Sequence, residues 1–179
     1  MHGKSWLAVG FAILVLAGSA AGGPGLDAIR AEATACREAL LFEPVVTPQA
    51  AALLLEAGEE LTEVIALIDA GDPSQMKKVF GRLGRAMKRL EKAAKRELSA
   101  DFSDFVRDRE QRLWLVTSSL FRPSDVVVGG EDPLDPEVEA RITKKMAKSV
   151  KLLTKGKVAN AIKKLKRPWA VLVKVDPDP

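Results

Sequence analysis

The chain of 179 residues is poor in the side chains on which much protein chemistry depends: it has one Cys, one His and no Tyr, and aromatics make up 5% of it. One cysteine closes no internal disulfide and builds no thiolate cluster. The histidine is His2, in an N-terminal segment whose removal would leave no imidazole at all. Ser–His and Cys–His nucleophile pairs, His-ligated zinc and His-held haem are then excluded. The Glu-x-x-His pairs of a di-iron bundle are missing as well. No feature selects a pair of acids for glycoside hydrolysis. With so few aromatics the core must be built from Ala, Leu, Val and Ile, and in that mixture helix formers outnumber strand formers, so the expected fold class is all-α. The composition argues against an enzyme and implies no cofactor.

The N-terminus carries Lys4, an uncharged stretch over residues 5–17 and the small residues Gly18, Ser19, Ala20 and Ala21. This is the pattern of a secretory signal peptide spanning 1–21, with cleavage after Ala20 or Ala21. The apolar run is shorter than the ~20 residues of a membrane span and ends at Gly22, Gly23, Pro24 and Gly25, which disfavours the alternative of an uncleaved anchor. Ala33, Thr34, Ala35 and Cys36 faintly resemble a lipid-attachment site, but Asp27, Arg30 and Glu32 separate them from the apolar segment. A periplasmic or secreted location is expected.

Past residue 22 the punctuation is helical. Thr47-Pro48, Asp72-Pro73 and Asp135-Pro136 each place a capping oxygen before a proline that needs no N–H partner in the first turn. Gln75 follows Asp72 at the spacing of a capping box. Gly71 and Gly156 suit left-handed stops. Helices are therefore predicted over 26–42, 48–70, 73–98, 101–121 and 136–155, with a sixth from 157 that Pro168 kinks or restarts. Their apolar stripes repeat at steps of three and four: Met76, Val79, Phe80, Leu83, Met87 and Leu90 in the third, and Val138, Ile142, Met146, Val150 and Leu153 in the fifth. Each stripe needs a partner, and tight turns at Gly71 and Gly156 make antiparallel hairpins the natural one. An antiparallel bundle of five or six helices over 22–175 follows, with a short tail at 176–179. The methionines read as core filler. Cys36 shares a stripe with Ile29, Ala33 and Leu40, which suits a buried structural thiol better than an intermolecular disulfide. Trp114 and Trp169 suit the core, with an exposed anchor as the alternative for Trp169 beside Pro168.

Shifting the chain by 85 residues lays Ile65, Leu67, Ile68 and Gly71 over Val150, Leu152, Leu153 and Gly156. Two related halves, 26–98 and 99–175, would produce this echo; so would helical heptads alone. Between the halves, residues 122–134 lack helical signals and read as a hinge or a binding loop. Met146, Ser149, Leu153, Gly156, Ala161, Leu165, Trp169 and Val173 have the spacing of the FIMAH module, a small helical unit appended to extracellular bacterial enzymes. Over these 30 or so residues the chain resembles that module and departs from it at Ser149, Pro168 and Trp169. The resemblance implies an extracellular accessory or interaction unit and carries no catalytic residue.

Charge is blocked along the chain. Residues 26–72 hold ten acids and two bases, and residues 73–98 hold two acids and nine bases, so the two blocks nearly cancel. Glu56, Glu59, Glu60 and Glu63 form a carboxylate stripe that could hold a hard cation, but around a hairpin at Gly71 they face Arg82, Arg85, Lys88 and Arg89. A salt-bridge ladder is the more economical reading. Residues 99–140 are acidic again, whereas residues 141–174 carry twelve bases and no acid. The candidate site lies there: Lys144, Lys145, Lys148, Lys151, Lys155, Lys163, Lys164, Lys166 and Arg167, backed by Ile142, Met146, Val150, Leu153, Ile162 and Leu165. A cationic amphipathic hairpin suits an anionic surface, with a merely solubilising exterior as the alternative. The expected partners are anionic lipid, lipopolysaccharide or an acidic protein. Nucleic acid is not expected, because export removes the chain from it and Trp169 alone could stack a base nearby. The rival readings are a periplasmic enzyme using carboxylates or a metal, marked by a pocket of convergent acids, and a structural subunit of an envelope assembly.

Overall fold

The computed structural model describes residues 24–45, 47–97, 99–121 and 135–175, and among these every regular element is helical. The segment 1–21 that reads as a signal peptide, the stretch 122–134 and the tail 176–179 lie outside the described residues. The helices are α1 (Pro24–Phe42), α2 (Pro48–Asp69), α3 (Met76–Glu97, entered through a 3-10 turn at Pro73–Gln75), α4 (Ala100–Ser119), α5 (Pro136–Leu153), α6 (Val158–Lys164) and α7 (Lys166–Val175). Thus the fold is the expected all-α bundle, with the sixth predicted helix divided into α6 and α7. Buried residues from all seven form one cluster.

The caps fall where the sequence places them. Thr47 Oγ1 accepts the Ala50 N–H, and Asp135 accepts the Glu137 N–H. The capping box at Asp72 takes a different form: its carboxylate accepts the Ser74 N–H, while the Gln75 N–H bonds to the Asp72 main-chain oxygen, because this start is a 3-10 turn. Gly71 and Gly156 have φ of 64° and 66°, the left-handed region that L side chains resist. At Gly156 the Lys157 N–H reaches Leu152 O and the Gly156 N–H reaches Leu153 O, the paired bonds of a Schellman stop. The break at Leu165 follows from Pro168, whose ring crowds the carbonyl four residues back and which has no N–H to give. The chain answers with a Leu165 N–H bond to Ile162 O and restarts, with Pro168 in the first turn of α7.

Helix directions can be read from the contacts. Glu56 meets Arg89, Glu60 meets Arg85 and Glu63 meets Arg82, so α2 and α3 run antiparallel. Thr47 at the start of α2 bonds Glu97 at the end of α3, and Arg30 near the start of α1 bonds Asp69 at the end of α2. Helix α3 is the hub, contacting α2, α4, α6 and α7. Its buried stripe is Met76, Val79, Phe80, Leu83, Met87 and Leu90, as the spacing predicts. Cys36 is buried with Ile29, Ala33 and Leu40, and desolvation pushes its thiol up to about 12, which keeps it neutral. Trp114 and Trp169 are both buried, so Trp169 is no exposed anchor.

One assignment needs correction. Val150 does not face the core: it is 43% exposed, and Ser149 takes its place with no exposed surface. The Ser149 hydroxyl donates to Ala161 O at 2.5 Å, a bond that draws α6 against α5 and turns the neighbouring valine outward. Residues 142, 146, 149 and 153 still advance by threes and fours, so the helical period is kept with a polar member.

Helix α6 approaches α3 closely at Gly84. A Cβ there would lie 2.8 Å from Ala159 O and 2.9 Å from Lys163 Cβ, whereas at Gly81 the nearest atom is an Arg85 nitrogen 4.0 Å away. Gly84→Ala is therefore expected to destabilise by ~1 kcal/mol, the overpacking cost exceeding the gain in helix propensity. Gly81→Ala should stabilise by up to ~1 kcal/mol. Urea denaturation of both variants checks the opposite signs, and stabilisation by Gly84→Ala would remove the close approach.

Candidate anion-binding site

The two basic blocks of the sequence meet different fates. In α3, Arg82, Arg85 and Arg89 all converge on Glu60, whose side chain is buried in α2, at 3.0, 2.8 and 2.7 Å. Arg89 also reaches Glu56 at 2.6 Å, and Arg82 reaches Glu63. The expected ladder is thus a cluster centred on one carboxylate, and Glu59 and Lys88 form no ion pair among the described residues. Burial would raise the Glu60 carboxyl, but hydrogen bonds from the three guanidinium groups outweigh it and hold it at about 2. Here the charge of three arginines is met inside the fold, although Lys77, Lys78 and Lys88 of the same helix form no ion pair among the described residues.

In α5, α6 and α7 no base is met in this way among the described residues. Lys144, Lys148 and Lys151 of α5 and Lys155 in the turn after it are exposed and follow one another by four, three and four residues, which sets the three helical ones on one stripe away from Val138, Ile142 and Ser149. Lys163, Lys166 and Arg167 are exposed, and Lys145 and Lys164 half-buried. None of the nine forms an ion pair among the described residues.

The tertiary structure brings some of the nine together and separates others. Lys145 lies roughly a quarter turn round α5 from the exposed stripe, at about 100° per residue. With Lys166 and Arg167 of α7 it lines a depression of about 580 Å³, whose other cations, Lys77 and Lys78, come from the first turn of α3. These last two were not assigned from sequence. A tryptophan makes the juxtaposition: Trp169 Nε1 donates to Pro73 O at 3.1 Å, tying the start of α7 to the turn that opens α3. The Trp169 ring packs 6.0 Å from Phe80 and 6.5 Å from Phe121, the latter edge-on, so the restart after Leu165 is anchored by aromatic contacts. The Lys163 backbone and Cβ lie against Gly84, in the seam between α6 and α3.

Two acidic features escaped sequence reasoning. Glu110 of α4 is buried, 8% exposed, and faces Glu91 of α3; desolvation first, and Glu91 second, push its carboxyl up to about 8. Glu32 of α1 faces Arg109 of α4 at 3.6 Å, and the Arg109 guanidinium sits 5.3 Å from the centre of the Phe105 ring. Burial raises the Glu32 carboxyl against the pull of Arg112 and Arg109. Both acids fall within amphipathic patterns, and nothing in their spacing marks them as interior. The depression is lined by cations rather than by the convergent acids a carboxylate enzyme would use. Among the described residues no group of His, Cys, Asp or Glu is arranged to hold a metal, and no helix is long and apolar enough to cross a membrane. Comparison with family models, curated proteins and solved structures yields no match.

Proposed function

We propose that this chain is an exported, non-enzymatic interaction protein that docks on an anionic envelope surface, such as anionic lipid or lipopolysaccharide, through its Lys-rich hairpin. The observation that carries the reading is the contrast between the paired arginine cluster of α3 and the unpaired lysines that follow Ile142. Arg82, Arg85 and Arg89 of α3 are neutralised by α2, whereas Lys144, Lys148, Lys151 and Lys155 point to solvent without a carboxylate partner among the described residues. Four like charges at this spacing repel one another, and a surface of opposite sign would relieve that repulsion. The signal-like segment at 1–21 supports delivery to such a surface, and the resemblance to the FIMAH module supports an accessory role rather than a catalytic one.

The test uses the protein recovered from the extracytoplasmic fraction, where mass spectrometry should find an N-terminus at Ala21 or Gly22. Vesicles containing anionic lipid should bind it with an affinity that falls steeply as salt rises, since exposed charges are screened beyond ~8 Å at physiological ionic strength. Vesicles of neutral lipid should not. Changing Lys144, Lys148, Lys151 and Lys155 together to Gln should weaken binding on the order of tenfold or more while leaving helicity intact. Equal binding by parent and variant would reduce the stripe to a solubilising exterior, and preference for an acidic protein over vesicles would replace the lipid partner.

A further inference from the structure

We propose that the depression between the first turns of α3 and α7 and the flank of α5 binds a terminal phosphate dianion, as carried by a pyrophosphate or phosphomonoester group. This inference rests on the anion-binding reading of the hairpin and gives it a ligand chemistry. Lys77, Lys78, Lys145, Lys166 and Arg167 enter one concavity of about 580 Å³ from three different helices. Cations on a single stripe suit an extended surface; cations set round one depression on three helices suit one compact, multiply charged group. None of the five forms an ion pair among the described residues. The carboxylate of Asp72 feels the charge of Lys78 but is held as a cap by the Ser74 N–H.

The arrangement is also built in advance of any ligand. The Trp169 hydrogen bond to Pro73 O and the packing of Phe80, Phe121 and Trp169 fix the two helix starts relative to each other, so the helices that carry these cations are positioned without an anion present. Arg167 supplies a planar fork that matches two phosphate oxygens, and the ammonium groups act as point charges around the remainder. A side-chain carboxylate carries a single charge and a phosphodiester likewise, so a dianion uses this cluster more fully than an acidic peptide or a bilayer of diester lipids.

The experiment titrates the extracytoplasmic protein with pyrophosphate by calorimetry, and with vesicles containing phosphatidic acid or phosphatidylglycerol at matched surface charge. The triple variant Lys77→Gln, Lys145→Gln, Arg167→Gln should weaken pyrophosphate binding at least tenfold and abolish the preference for phosphatidic acid, with an unchanged circular dichroism spectrum. The four-lysine stripe variant should lose overall vesicle avidity but keep that preference, so the surface reading and the phosphate site fail separately. Saturable pyrophosphate binding alone assigns a free phosphate ligand, and a vesicle preference alone assigns a lipid headgroup. The proposal is overturned if the triple variant matches the parent with both probes, or if polyglutamate competes as well as pyrophosphate at equal charge. If the triple variant unfolds, Arg167→Gln alone serves in its place, with the same expected loss in direction.

Discussion

Replacing Glu110 with Gln is expected to stabilise the protein above pH 8 on the order of 3 kcal/mol and to leave it nearly unchanged at pH 4.5. The Glu110 carboxyl lies between α4 and α3 beside Glu91, and its folded-state pKa is pushed from 4.5 to about 8, chiefly by desolvation. Between those values the unfolded chain has released a proton that the folded chain retains. Stability from this group is complete below pH 4.5 and declines as pH rises through about 8, where a buried charge must form next to a second acid. Glutamine keeps the shape and hydrogen-bonding capacity of the neutral acid and cannot ionise, so the variant escapes the decline. For a domain of this size the gain is a rise in Tm of about 5 to 10 °C at pH 8.5. Parallel melting curves at pH 4.5 and 8.5 decide the matter; equal curves at both would mean that the Glu110 site is hydrated and ionised at neutral pH.

Truncation of Glu60 should act in the opposite direction. Glu60→Ala removes the one carboxylate shared by Arg82, Arg85 and Arg89 and leaves three guanidinium groups crowded along α3. Removing one partner from a buried ion pair costs ~3 to 5 kcal/mol. The arginines here are about a third exposed and regain some hydration, and Glu56 and Glu63 still hold two of them, so a loss of about 2 to 4 kcal/mol is expected. Glu59→Ala, one residue away and free of ion pairs among the described residues, should change stability by no more than ~0.5 kcal/mol. Chemical denaturation of the two variants tests the contrast, and a Glu60→Ala loss as small as that of Glu59→Ala would make the cluster an exposed ornament. The acid side follows from the same group: its pKa is lowered, so its contribution is complete above pH 4.5 and lost as pH falls through about 2. Together Glu60 and Glu110 place greatest stability on the acid side of neutral.

How much of this was legible in the sequence depends on the range of the physics. The five long helices, the proline starts, the left-handed glycines and the stripe of α3 are consequences of capping and of a 3.6-residue period, which act within a few residues and are written locally. Charge blocks are local too, and the pairing of α2 with α3 follows once Gly71 is read as a tight turn. What failed was decided by neighbours. Ser149 displaced Val150 because α6 offered a carbonyl to its hydroxyl, and hydrophobicity alone ranks the valine first. Glu110 went inside because α3 and α4 meet there, although its own helix would allow it to stay in water.

The basic surface divides along the same line. That twelve bases and no acid occupy residues 141–174 is a property of the sequence, as is the spacing that lines Lys144, Lys148 and Lys151 along α5. That Lys77 and Lys78, some seventy to ninety residues from their companions, join Lys145, Lys166 and Arg167 around one depression was settled by tertiary structure. The cause is a single long-range contact: Trp169 donates to Pro73 O and packs on Phe80 and Phe121. Periodicity determines which face of a helix is charged; which charged faces meet depends on how buried side chains from distant segments fit together, and no local pattern carries that fit.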